Sequence, residues 1–142
     1  MRVVIDTNVL VSALLSSTSP PSVLVTLWRA GRFTLISSEL QLEELTRVTR
    51  YPKIRQRLNP ALAGRLVNEL RDIAEMVNQV AEVDVSPDPY DNYLLAMSSA
   101  GRVNSLITGD KRDLLLLKKY ETTAIVPVSD FLASLRHLQS FR

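Results

Sequence analysis

At 142 residues, 46% of them hydrophobic and 23% charged, the chain has the composition of a folded domain and excludes a disordered one; it reads as a single domain over residues 1–142. It holds no cysteine, which removes disulfides, thiolate metal sites and cysteine nucleophiles, and its one histidine, His137, lies in a Leu-rich C-terminal stretch that argues against a Ser-His-Asp triad. The net charge is only +2, so a case for nucleic acid must rest on where the charges fall; with no basic-then-apolar leader and no apolar run near the roughly 20 residues that cross a bilayer, a cytoplasmic protein with no membrane contact is expected.

Val3 to Ile5 form a β-branched run suited to a buried parallel strand, and Asp6 stands at its C-terminal end before Thr7 and Asn8, two turn or cap residues. Asp6 reads equally as a helix cap or as a ligand at the sheet edge where open α/β folds bind. Val9 to Leu15 can continue as helix. Ser19 before Pro20 is an N-cap for a second helix carrying Val23, Leu24, Leu27 and Trp28 and ending near Gly31. Phe33 to Ile36 is the next strand, and Ser38 with Gln41 has the spacing of a capping box for a helix from Glu39 to about Arg50. At roughly 100° per residue, Leu40, Leu42, Leu45 and Val48 share an apolar arc on that helix with Glu44 on its edge, facing the core side. Glu39 and Glu43 fall on the opposite arc, where Glu43 and Arg47 have ion-pair spacing.

From Leu45 to Asn68 there is no acidic residue, while Arg47, Arg50, Lys53, Arg55, Arg57 and Arg65 give the strongest nucleic-acid footprint in the chain. Tyr51 alone interleaves, so the stretch suits phosphate contact more than base stacking; a solvated basic helix pair is the plainer alternative. Asn59-Pro60 opens a further helix with Leu62, Leu66, Leu70, Ile73 and Val77 as its stripe, and Val80 to Val85 alternates like a short strand. Asp88 before Pro89 is an N-cap, and Asp91 shares the inward face of the next helix with Leu94, Leu95 and Ser98. That helix ends at Gly101. Ser105 to Thr108 then leads to Gly109-Asp110, which repeats the opening order of strand, turn and aspartate. Asp110 and Asp113 can cap a helix from Leu114 to Tyr120, Ala124 to Pro127 is a last strand, and Ser129 caps a final helix to about Gln139. The alternation predicts an α/β fold of three layers, helices on both faces of a mostly parallel sheet of about four to five strands with right-handed crossovers.

Asp6 and Asp110 follow two strands, and Glu44 and Asp91 face inward from the first turns of two helices, so all four can converge at the C-terminal edge of a parallel sheet. Gathered carboxylates repel unless a cation is present, and an oxygen-only set without cysteine suits Mg²⁺ or Mn²⁺ better than Zn²⁺. With the basic stretch beside it, such a site points to phosphodiester hydrolysis of nucleic acid.

The runs Val-Val-Ile-Asp-Thr-Asn-Val-Leu (3–10), Ser-Glu-Leu-Gln-Leu-Glu-Glu-Leu (38–45), Asp-Pro-Tyr-Asp-Asn (88–92) and Leu-Ile-Thr-Gly-Asp-Lys-Arg-Asp-Leu-Leu (106–115), with Ile-Val-Pro-Val-Ser-Asp-Phe-Leu (125–132), resemble in order those of a PIN domain. They are most similar to the small VapC-like toxins of toxin–antitoxin pairs. The resemblance implies a Mg²⁺- or Mn²⁺-dependent endoribonuclease whose metal ligands match Asp6, Glu44, Asp91 and Asp110, with Asn8 and Thr108 hydrogen-bonding nearby and Asp88 a weaker candidate. It also implies a homodimer and a cognate antitoxin. Some relatives carry a further acid where this chain has Tyr90. Among rivals, a haloacid-dehalogenase phosphatase needs an acid at position 8, where Asn8 stands, and a receiver domain needs paired acids that are absent. A PIN-like module that binds RNA or protein without cutting is the remaining alternative.

Overall fold

The N-terminal β-branched run forms β1 (Arg2–Ile5), which the computed structural model places inside the sheet; residues 1–78, 83–109 and 112–140 are described, the side chains of 112 and 137–140 excepted. The other strands are β2 (Thr34–Ser37), β3 (Glu75–Met76), β4 (Ser105–Thr108), β5 (Lys119–Tyr120) and β6 (Thr123–Pro127), in the order β3-β2-β1-β4-β6-β5. All pairings are parallel except β5 with β6. The helices are α1 (Thr7–Leu15), α2 (Pro20–Arg29), α3 (Glu39–Thr49), α4 (Pro52–Arg55), α5 (Pro60–Ile73), α6 (Pro89–Ala100), α7 (Arg112–Leu117) and α8 (Val128–Ser140).

Strand alternation divides the core between the two faces of the sheet. Val3, Ile5, Leu35 and Ile107 pack on one side against α1, α2, α3, α5 and α8, through residues such as Leu10, Trp28, Leu45, Leu70 and Phe131. Val4, Ile36, Leu106 and Ile125 pack on the other against Leu94, Leu95 and Met97 of α6 and Leu114 of α7. This is the expected three-layer arrangement. Among the described residues no single helix is long and apolar enough to cross a membrane; α1 and α2 pass only together, and they meet at 101°.

Among the described residues six strands replace the expected four to five, because two short ones carry no pattern. The α5 helix stops at Ile73, and the chain turns at once into β3 beside β2, so Val77 is not part of the helical stripe. The expected Val80–Val85 strand lies partly outside the described residues, and 83–85 take no strand conformation. The helix expected over Leu114–Tyr120 spans Arg112–Leu117 instead: Lys118 and Glu121 adopt left-handed backbone (φ 60° and 52°), so Lys119–Tyr120 turn back as a hairpin on β6. The last helix starts at Val128, ahead of the expected Ser129 cap. Several caps form as read: Ser19, Ser38, Asn59 and Asp88 each accept a backbone N–H of the following first turn.

Gly31, after α2, has the left-handed φ of 77° that favours glycine. Gly101, expected as a helix stop, has a different reason for its identity. Its φ is ordinary, and Arg102 takes the left-handed turn, but a Cβ at 101 would lie 2.6 Å from Ile36 Cγ2.

Candidate active site

From β1 the chain proceeds outward to β2 and β3 and then returns to place β4 on the other flank of β1, so the switch point of the sheet lies between β1 and β4. Asp6 follows β1 at that point, pairing its N–H with the Ile107 carbonyl at 2.8 Å. Its side chain is fully buried, and a buried carboxylate is costly unless donors surround it. Three do. The Asn8 N–H and the Tyr90 hydroxyl donate to Oδ1 at 3.1 and 3.0 Å, and the Thr108 hydroxyl donates to Oδ2 at 2.9 Å. Asp6 is therefore an N-cap of α1, and the capping and site readings are compatible.

Tyr90 belongs to the first turn of α6, and its oxygen also accepts the Thr7 N–H at 3.2 Å. Burial, and secondarily the charge of Asp6, push its hydroxyl far above the usual tyrosine range, so it donates as a neutral O–H. One residue on, Asp91 is buried at 2% exposure, as the helix phase predicts, and its Oδ2 accepts from Ser86 Oγ at 3.1 Å. Asn92 fastens the loop before the helix: its Oδ1 accepts from the N–H groups of Val85 and Ser86, and its amide donates to the Ser86 carbonyl. Asp88 acts as the cap of α6 on the Tyr90 N–H.

On α3 the apolar arc lies about one position round from the expected one. Leu40 is 57% exposed, whereas Gln41 is buried at 1%. The polar Gln41 is tolerated inside because both ends are satisfied: its amide donates to the Ile5 carbonyl at 2.6 Å and its Oε1 accepts from Ser37 Oγ at 2.7 Å. The backbone half of the capping box forms, Gln41 N–H to Ser38 Oγ, while the side chain is spent on β1 and β2. Glu44, in the second turn, is half-buried on the flank of the helix and forms an ion pair with Arg47, which takes the place of the expected Glu43–Arg47 pair. It shares a hollow of about 190 Å³ with Leu40, Tyr90 and Tyr93. Burial pushes the Tyr93 hydroxyl up to about 12, with Ser38 as its 2.6 Å partner.

The structure thus joins Asp6, Thr108 and Tyr90 directly, puts Asp91 beside Tyr90 on one helical turn, and sets Glu44 across the hollow from Tyr90. Asn8 contributes its backbone, and its side chain is exposed. Asp110 lies outside the described residues. Among those described, no three acidic or histidine side chains form a ready metal cluster. Arg50, Lys53, Arg55, Arg57 and Arg65 are all exposed, and Arg50 and Arg55 line one groove with Pro60, Gly64 and Asn68. Tyr90, Ser86, Asn92 and Gln41 were not among the sequence candidates. Only Gln41, at a capping position, and Tyr90, beside Asp91, carried any local signal.

A family model for the PIN domain matches residues 2–112, which includes β1 through β4 and every element that meets Asp6. The chain belongs to the PIN-domain family. PIN domains are in general nucleases that use divalent cations, so the family membership supports a nuclease-like role for the chain. Searches of curated proteins and of solved structures returned no match.

Proposed function

We propose that this PIN domain is a Mg²⁺- or Mn²⁺-dependent endoribonuclease, and the observation that carries the reading is the buried Asp6 carboxylate at the β1/β4 switch point, inside the family-matched region. The donor set fits a hard cation in kind: oxygen atoms only, with no thiolate in the chain. Of the two acceptor sites on Asp6 Oδ2, Thr108 fills one, and no second donor reaches that atom among the described residues. Asp6 and Asp91 would hold the cation, with Glu44 and Asp110 as the further acids. The bound cation supplies Lewis-acid stabilisation of charge developing at phosphorus.

The chain's own groups do the rest. Thr108 and the Asn8 amide fix the orientation of Asp6, and Ser86 and Asn92 hold the turn that carries Asp91. The exposed arginines and lysine from Arg47 to Arg57 take up backbone phosphates, which gives affinity without a base code. The finer assignment, the toxin of a toxin–antitoxin pair acting in the cytoplasm as a homodimer with an antitoxin partner, draws its support from the ordered VapC-like motifs. A small antitoxin-like reading frame beside the gene and growth arrest on induced expression are its expected marks; induced expression that leaves growth untouched counts against it.

The activity is tested with purified protein, mixed RNAs and Mn²⁺ or EDTA. Metal-dependent cleavage is expected. Reproducible RNA binding with no cleavage in either metal favours the non-catalytic module, a reading to which the Glu44–Arg47 pair lends its one specific observation.

A further inference from the structure

A carboxylate oxygen has about two acceptor sites, and the Oδ1 atom of Asp6 has both in use. One takes the Asn8 N–H at 3.1 Å, the other the Tyr90 hydroxyl at 3.0 Å. The tyrosine cannot drift off at no cost, because its oxygen is at the same time the acceptor for the Thr7 N–H, a first-turn donor of α1 that has no partner within the helix. Its ring is held half-buried between Asp6 and the hollow that contains Leu40, Glu44 and Tyr93, 6.3 Å from the Tyr93 ring. The two oxygens of Asp6 are therefore unequal. Oδ1 is committed to the protein, and among the described residues Oδ2 keeps one acceptor site beside the Thr108 hydroxyl.

The geometry points to Tyr90 as the positioning residue that reserves Asp6 Oδ1 for the protein, so that Asp6 can meet a divalent cation through Oδ2 alone. This rests on the reading of Asp6 as a cation ligand. While the hydroxyl is in place Asp6 would offer a cation one oxygen and not two, so the site would bind the bare cation loosely. In this role Tyr90 acts through Asp6 and not as a ligand.

The experiment uses the full chain with Mn²⁺ as probe, without RNA, by calorimetric titration and by electron paramagnetic resonance of unbound Mn²⁺. Tyr90→Phe deletes the hydroxyl and keeps the ring. Freeing one hydrogen-bonded acceptor site is expected to tighten Mn²⁺ binding about two- to tenfold, with a melting temperature no higher than that of the unaltered chain. Unchanged or weaker Mn²⁺ binding by a folded Y90F chain overturns the proposal, because a tyrosine that merely supports the fold loses affinity along with stability when cut back. A second measurement needs no variant: on addition of Mg²⁺ the Thr7 amide keeps its hydrogen-exchange protection if Tyr90 stays on Asp6. Loss of that protection on Mg²⁺ loading shows that the hydroxyl leaves and overturns the proposal. Asp6→Asn separates the two layers of inference. If D6N binds Mn²⁺ as the unaltered chain does, the reading of Asp6 as a ligand fails and this proposal with it; if D6N abolishes binding while Y90F changes nothing, only the role of Tyr90 falls.

Discussion

Thr108→Val replaces a hydroxyl by a methyl of nearly the same shape at a fully buried position, and it removes one of the three donors that make the buried Asp6 carboxylate tolerable. A hydrogen bond to a charged acceptor contributes about 1.5–3 kcal/mol, and burial of the added methyl offsets about 0.8 kcal/mol of that loss. The net destabilisation is therefore about 1–2 kcal/mol, which for a chain of this length lowers the melting temperature by roughly 5 °C. Urea unfolding in EDTA, followed by the fluorescence of the single and buried Trp28, measures it directly. Thr108→Ser, which keeps the hydroxyl, is expected to lose less. Repeating the substitution in an Asp6→Asn background isolates the hydrogen bond, with a coupling of about 1 kcal/mol expected from the charge-assisted part. A T108V chain within about 0.5 kcal/mol of the parent, or an equal loss with and without Asp6, refutes the claim that Thr108 stabilises the carboxylate.

Three other outcomes follow from the same structure. Gly101→Ala drives a Cβ to 2.6 Å from Ile36 Cγ2 and is expected to cost about 1–3 kcal/mol by urea unfolding, with part of the loss recovered by Ile36→Val; a neutral G101A contradicts the packing account. Removing both Arg50 and Arg55 should weaken RNA binding across sequences and flatten the log–log salt dependence by about 0.7 for each single-strand phosphate that is no longer neutralised; an unchanged slope places the RNA elsewhere. Because burial raises Tyr93 from 10.0 to about 12, its contribution to stability is complete below pH 10 and is lost as pH rises through the folded value. Urea midpoints should therefore fall between pH 10 and 12, and less so in Tyr93→Phe; midpoints flat across that range contradict the burial of the phenol.

What could be read in advance was governed by local periodicity. Val3 to Ile5 and Ser105 to Thr108 announced buried strands because runs buried on both faces leave a compositional mark, and Asp91 announced its burial because it shares a helical phase with Leu94 and Leu95. The phase of α3 was misjudged for a definite reason: hydrophobicity alone turned Leu40 inward, and only the satisfied hydrogen bonds of Gln41 to Ile5 and Ser37 make a buried glutamine the better choice. The strands β3 and β5 have two residues each, too few for a period, and β5 depends on left-handed Lys118 and Glu121, where nothing in the residue type foretells the turn. Tyr90 lay furthest from view. Its hydrogen bond to Asp6 spans 84 positions, and its meaning arises only when α6 is packed against the end of β1.

If Asp6 makes this PIN domain a cation-dependent ribonuclease, the decisive measurement is RNA cleavage by the purified chain and by Asp6→Asn, with Mn²⁺ and with EDTA, after melting curves show both folded. Cleavage by the unaltered chain in Mn²⁺ alone, and none above background by D6N, is expected. Cleavage by D6N at the parental rate, or parental cleavage that persists in EDTA, contradicts the assignment of Asp6.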